Sequence, residues 1–192
     1  LGFVYREIKG SLANIEGMFS LLQKQPAVTD KANAKALVVD TSAISFEDVT
    51  FGYHKDRDVL KGISFDVLAG QKVAIVGDSG SGKSTIVKLL FRFYDTAKGR
   101  IAIDEQAVDD VTQISLRQHI GIVPQDTVLF NDSIFENVRY GKPDASDEDV
   151  RMALKMAYLD DLISKLPDGE HTMVGERGLK LSGGEKQRVA IA

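Results

Sequence analysis

The chain has no cysteine. Disulfides and thiolate metal sites are therefore excluded, and the composition fits a reducing compartment. It has no broad excess of positive charge: the formal net charge is −4, so no basic field calls for nucleic acid as a partner. It has no apolar stretch near the roughly 18 residues that a membrane span requires. It has no signal-peptide pattern, because Arg6, Glu7 and Lys9 interrupt the first apolar positions. Internal repeats and low-complexity tracts are also lacking. What remains is ordinary for a globular protein: 43% hydrophobic and 27% charged residues over 192 positions, enough for one sizeable core and an appendage.

Hydrophobic periodicity organises the chain. Val4, Ile8, Leu12, Ile15, Phe19 and Leu22 recur at steps of three and four, which predicts a helix from Leu1 to Leu22. Such a helix either packs on its own domain or is a connecting helix that packs on parts outside this sequence. Gln25 to Asp40 reads as a linker, with Pro26 and little periodicity. Alternating runs at Ile44–Phe51 and Leu60–Val67 predict strands, and Ala69-Gly70 a turn. Val73–Val76 is continuously apolar, as in a strand buried on both faces. A helix is expected from about Ser84 to Phe93, with short strands at Ile101–Ile103 and Ile120–Val123. The later half reads as mostly helical. Ser133 with Glu136, and Ser146 with Asp149, are spaced as capping boxes. The second opens a helix running through Met152, Leu154 and Met156 toward Leu166, ended by Pro167 and Gly169. Strands alternating with helices indicate an α/β core with a helical insertion.

Gly77-Asp78-Ser79-Gly80-Ser81-Gly82-Lys83-Ser84 fits G-x-x-x-x-G-K-[ST] in full. Phosphate oxygens need several backbone N–H donors converging on one point. The glycines allow that tight path, and the following helix aims its positive end at the anion. Lys83 supplies a cation for the β- and γ-phosphates, the Ser84 hydroxyl can ligate Mg²⁺, and Thr85 can add a donor toward the α-phosphate.

A second phosphate-seeking helix end stands at Leu181-Ser182-Gly183-Gly184-Glu185-Lys186-Gln187-Arg188. Ser182 and Glu185 form an S-x-x-E box, and Gly183 and Gly184 leave backbone N–H groups uncovered. LSGGE-[KR]-Q-R resembles the signature of the ABC ATPases. The resemblance implies an α/β P-loop NTPase fold of ABC type, with a mixed sheet core, an antiparallel β subdomain and an α-helical subdomain. It also implies a head-to-tail dimer, in which the P-loop of one copy and Ser182, Gly183 and Gly184 of the other hold the same ATP with Mg²⁺.

Further positions match that family. Tyr53 stands where ABC domains place an aromatic that stacks on adenine. Gln125, in Ile122-Val123-Pro124-Gln125-Asp126, matches the Q-loop, whose neutral carbonyl touches Mg²⁺ or the attacking water. Thr172-Met173-Val174-Gly175-Glu176-Arg177-Gly178 resembles a loop of exporter-type members that touches the transmembrane helices. The Asp-Glu strand end and the switch histidine that the family uses for hydrolysis are expected beyond Ala192, so these residues alone are expected to bind without turnover and to leave a sheet edge unpaired. Ile101-Ala102-Ile103-Asp104-Glu105 imitates that strand but precedes the signature, and its apolar run is short; it is read as a turn without catalytic role, the alternative being Glu105 as the base of a different P-loop class. His54, His119 and His171 show no metal-ligand spacing.

The first twenty residues are similar to the stretch joining the last transmembrane helix to the ATPase domain of half-size exporters, above all the mitochondrial and heavy-metal-tolerance branch with its bacterial relatives. That branch implies glutathione-linked sulfur compounds and iron–sulfur metabolism, a bacterial or mitochondrial inner membrane, and a transmembrane domain in the same polypeptide. The organisation expected is a connecting helix at 1–24, a linker at 25–40 and an ABC nucleotide-binding domain, incomplete at its C-terminal end, at 41–192. Lys83 and Gln125 are the candidate catalytic groups. A soluble ABC-type ATPase of DNA repair or translation, or a nucleotide-binding module without turnover, stays as the alternative.

Overall fold

The computed structural model describes residues 2–54, 56–178 and 180–192, without the side chains of Ile8 and Ala13. Two compact units divide the chain, Leu1–Ile120 and Gly121–Ala192.

The first unit opens with helix α1 (Gly2–Leu22); Leu1, where the sequence pattern starts the helix, lies outside the described residues. Every described side chain of α1 is exposed, including Val4, Leu12, Ile15, Phe19 and Leu22. Of the two readings of this helix, packing on its own domain is therefore not seen. Strands β1 (Ile44–Phe51) and β2 (Leu60–Val67) fall on the expected alternating runs. Helix α2 (Lys83–Leu90), β3 (Lys98–Ile103), β4 (Gln106–Ala107) and α3 (Gln113–Gln118) follow.

The sheet has the order β2-β1-β3-β4 and is antiparallel throughout, with Phe46 facing Phe65 on one side and Ile101 on the other. Period-two alternation sends Phe46 and, past an irregularity, Val49 and Phe51 into a core with Leu60, Ile101 and Ile103. Each such side chain contributes about 1.5–3 kcal/mol by leaving water. At that irregularity Gly99 has φ +83°, and a Cβ there would lie 2.3 Å from the Asp48 carbonyl oxygen. Only glycine lets β3 approach the bulged backbone so closely.

Two expected strands do not form. Val73–Val76 and Ile120–Val123 are irregular, and Val73, Ile75, Val76, Ile122 and Val123 are exposed. A strand exists only through its ladder. Among the described residues no segment pairs with either run, so apolar content alone is not enough.

Helix α2 stops at Leu90, three residues before the expected end. Arg92 turns into the left-handed region at φ +51°. Its N–H donates to Leu89 O (2.9 Å), and Phe93 N–H donates to Lys88 O (3.0 Å). This is a Schellman closure with arginine where glycine is usual. The Arg92 side chain, 2% exposed, donates to Asp95 Oδ1 (3.0 Å), Asp30 Oδ1 (3.4 Å), Val111 O (3.2 Å) and Thr29 O (3.0 Å). Residues 29–38, within the stretch expected as a linker, are tied in at further points. Gln113 N–H donates to Asp30, Leu37 N–H donates to Ser115 Oγ, and Leu37 is buried in the core.

The second unit is helical, as expected: α4 (Ile134–Arg139), α5 (Asp147–Met156), α6 (Asp160–Ile163) and α7 (Gly183–Ile191), with 3₁₀ turns at Gly169–His171 and Glu176–Gly178. Two details differ from expectation. Ser133 Oγ accepts from Glu136 N–H, but Ser133 N–H donates to Asp132 and not to Glu136. The cap is real and the reciprocal half is absent. The helix opened by the full box at Ser146 and Asp149 ends at Met156 instead of running to Leu166. Tyr158 takes φ +56°, and Leu159 N–H donates back to Leu154 O. The turn buries Leu159 beside Leu154, and a straight helix could not do so.

Candidate functional site

Within the first unit, the loop Gly77–Gly82 leads into α2. Gly82 has φ +98°, and a Cβ there would lie 2.8 Å from Leu60 Cδ2 and 3.2 Å from Val59 Cγ1. The start of β2 presses on the loop, so glycine is required by both backbone and space. Lys83 extends back over the loop and donates to Gly77 O (2.8 Å) and Asp78 O (2.6 Å). Its ammonium is thus held at the head of α2. The N–H groups of Gly82, Lys83 and Ser84 donate to no carbonyl among the described residues, which leaves them with the unpaired donors of a helix start. Asp78, Ser79, Gly80, Ser81 and Ser84 are exposed around them. A bare helix end, a fixed cation and an open hydroxyl fit a polyphosphate with its divalent cation.

Thr85 is 5% exposed, and its Oγ1 lies 3.1 Å from the Tyr53 hydroxyl. Tyr53, predicted from the Phe51-Gly52-Tyr53 pattern, is thereby brought to the loop's own helix. Its ring stands nearly perpendicular to Phe51 (centroids 5.1 Å, 85°) and to Tyr94 (5.3 Å, 87°). Lys88 Nζ sits 5.4 Å from its ring centroid. Still, Tyr53 is 40% exposed, leaving ring surface for a flat ligand. Sequence reading missed Lys88 and Tyr94. Their signal, a cation one turn after Thr85 and an aromatic just past the helix, is visible only once Tyr53 is placed.

In the second unit, Gln125 lies exposed in a bend. Ser182 caps α7: its Oγ accepts from Glu185 N–H, and Glu185 Oε2 accepts from Ser182 N–H at 2.7 Å. Hydrogen bonding to the carboxylate from the Ser182 hydroxyl first, and from its amide second, holds the Glu185 carboxyl below its ordinary range. A Cβ added at Gly183 or Gly184 would meet nothing within 4 Å. Nothing among the described residues requires glycine there, although each costs about 1 kcal/mol in a helix. The loop Thr172–Gly178 is pinned by Ile134 N–H to Thr172 O and Val174 N–H to Asp132 O, leaving Glu176 and Arg177 exposed.

Asp104 and Glu105 form the turn between β3 and β4, both at positive φ, as a tight hairpin demands. The Asp104 carboxylate accepts from the Thr41 hydroxyl and from the amides of Asp40, Thr41, Ser42 and Ala43. Its lone pairs are committed to holding that segment. Among the described residues no group of histidines and carboxylates is placed to hold a metal.

A model of the ABC transporter family matches residues 60–192. The chain belongs to the ABC transporter family. It is 57% identical to an ATM1-type heavy metal exporter of Novosphingobium aromaticivorans, over all of this chain and 32% of that protein. It is 56% identical to the mitochondrial iron-sulfur clusters transporter atm1 of Aspergillus fumigatus, again over its whole length and 26% of the relative. The structure of a bacterial Atm1-family ABC exporter with ATP bound superposes with a TM-score of 0.92 at 56% identity, covering all of this chain and 33% of the other. The chain therefore spans about a quarter to a third of the relatives it matches. Its fold is that of an ABC ATPase domain. The branch inferred from the motifs and the N-terminal helix is the branch of these relatives, and a soluble ABC-type ATPase is not favoured.

Proposed function

We propose that this chain is the ATP-binding motor of a half-size ABC exporter. The observation that carries the reading is the head of α2. Unpaired N–H groups, the Lys83 ammonium and the Ser84 hydroxyl share one short loop, and Thr85 ties that loop's helix to Tyr53. Tyr53 offers its ring to the adenine. Gly77–Gly82 and Lys83 hold the phosphates, exchanging the two carbonyls that Lys83 now engages for phosphate oxygens. The Ser84 hydroxyl would offer a neutral oxygen to Mg²⁺, and the Gln125 carbonyl is the candidate of the same chemistry in the second unit. Bound Mg²⁺ would draw charge from the phosphates being separated.

Ser182, Gly183 and Gly184 serve a second copy. The open space at both glycines supports this reading: their lack of side chains is useful only to something arriving from outside. Head-to-tail closure of two copies on two ATP molecules would drive an attached transmembrane domain, with α1 as the connecting helix and the Thr172–Gly178 loop as a contact. By the names of the relatives, the exported cargo is an iron–sulfur or heavy-metal compound, in the glutathione-linked form expected of this branch, across a bacterial or mitochondrial inner membrane.

Asp104 is occupied within its own hairpin, so its carboxylate is not free to polarise water. The 192 residues alone should bind Mg-ATP without turning it over. In the full-length protein, Lys83→Ala should remove Mg-ATP binding and Gly183→Trp should remove turnover while leaving nucleotide bound. Unchanged ATP affinity in Lys83→Ala would sink the reading.

A further inference from the structure

We propose that Thr85 and Lys88 are positioning residues for Tyr53, so that the helix which cradles the phosphates also fixes the ring that meets the base. The proposal rests on the reading of Tyr53 as the base platform and adds what holds that platform.

Tyr53 comes from the connection after β1, a separate stretch of chain from the phosphate loop. A tyrosine on such a connection would ordinarily rotate and lose freedom when a base stacks on it. Here it is fixed from several sides. The hydroxyl lies 3.1 Å from Thr85 Oγ1. The Lys88 ammonium stands over one ring face at 5.4 Å. Phe51 and Tyr94 stand nearly perpendicular to it. Thr85 and Lys88 are three residues apart, so they present neighbouring side chains on one face of α2. Both contacts come from the helix whose first residue is Lys83.

Two consequences follow. The separation between ring and phosphate cradle is set by a rigid helix with a rise of about 1.5 Å per residue, not by the loop that carries Tyr53. A cation on one face also leaves the opposite face as the place for a purine. The contribution of Thr85 and Lys88 should therefore appear only for ligands that possess a base.

This separates positioning from damage to the cradle. In the full-length protein, binding of Mg-ATP and of Mg-tripolyphosphate, which has the phosphates and no base, is measured by calorimetry for Tyr53→Phe, Lys88→Met, Lys88→Arg and Tyr53→Ala. Tyr53→Phe keeps the ring and deletes only the hydroxyl, so the test does not disturb Thr85 beside the phosphates. It should weaken ATP binding by about 2- to 10-fold, the range for a net hydrogen bond. Lys88→Met should weaken it by about 2- to 5-fold, as for an exposed cation–π contact, and Lys88→Arg should restore it. Tripolyphosphate affinity should stay within about 2-fold in every variant, because no phosphate donor is touched. Equal weakening of ATP and tripolyphosphate would mean that α2 itself is disturbed, and unchanged ATP binding in both Tyr53→Phe and Lys88→Met would mean that the contacts do nothing; either result overturns the proposal. If Tyr53→Ala also leaves the ratio of the two affinities unchanged, Tyr53 is not the base platform and the underlying reading fails with it.

Discussion

Arg92 is the sharpest place to test how this fold is held. Its guanidinium is buried at 2% exposure and reaches two carbonyls, Val111 O and Thr29 O, and two carboxylates, Asp30 and Asp95, which are 34% and 47% exposed. Arg92→Met keeps most of the apolar stem and deletes the charge. The carboxylates regain water, so their loss counts little. The two carbonyl bonds to a charged donor are each worth about 1.5–3 kcal/mol. Relief of the buried charge offsets part of that sum, leaving about 3 kcal/mol. At 1.4 kcal/mol per decade, local opening of residues 28–37 should become about 100-fold more frequent. Amide hydrogen exchange followed by mass spectrometry reads this directly, with the Gln113 amide, which donates to Asp30 at 3.1 Å, as a second reporter. Arg92→Lys should fall between, since a compact ammonium reaches fewer acceptors. Less than about 5-fold loss of protection in Arg92→Met would refute the latch. So would an equal loss across β1–β3, which would signal general unfolding.

Other outcomes follow from the same structure. Gly99→Ala should destabilise the first unit by at least about 3 kcal/mol in urea titration, because its Cβ would meet the Asp48 backbone at 2.3 Å and its φ is +83°. Ser182→Ala should lower the stability of α7 by about 1 kcal/mol, seen as faster exchange in its first turn. The Asp104 carboxyl is held below the ordinary range first by the Thr41 hydroxyl and then by the Asp40 amide. A lowered folded value means the clasp is fully present above the ordinary carboxylate value, about 3.9, and is lost only as pH falls through the folded value. Protection of the residue 40–43 amides should thus persist at about pH 4, and Asp104→Asn should abolish both that protection and its loss in stronger acid.

Local codes were the most legible in the sequence. The alternation in β1 and β2, the boxes at Ser146 and Ser182 and the contiguous P-loop are each complete within a few residues, so they read directly. Non-local requirements were not legible. Val73–Val76 has the composition of a buried strand but has no ladder partner among the described residues, and composition does not report partners. Arg92 and Tyr158 close helices in a conformation usually marked by glycine, so neither end carried its usual signal. The candidate site divides in the same way. Lys83 and Ser84 were named by spacing, whereas Lys88 and Tyr94 matter only because the fold seats Tyr53 between them.

The way residues 29–38 are woven in bears on where this protein can be cut. The family match begins at residue 60, yet β1 lies before that point and is flanked by β2 and β3 in the sheet. A gene trimmed to that matched span would remove an interior strand. One trimmed at residue 41, where composition changes, would leave the Ser115 hydroxyl without Leu37 and the Arg92 guanidinium without Thr29 and Asp30. The interval that the family match covers, the interval suggested by composition and the interval that folds are three different lengths of chain. An expression design should follow the third, beginning no later than Val28.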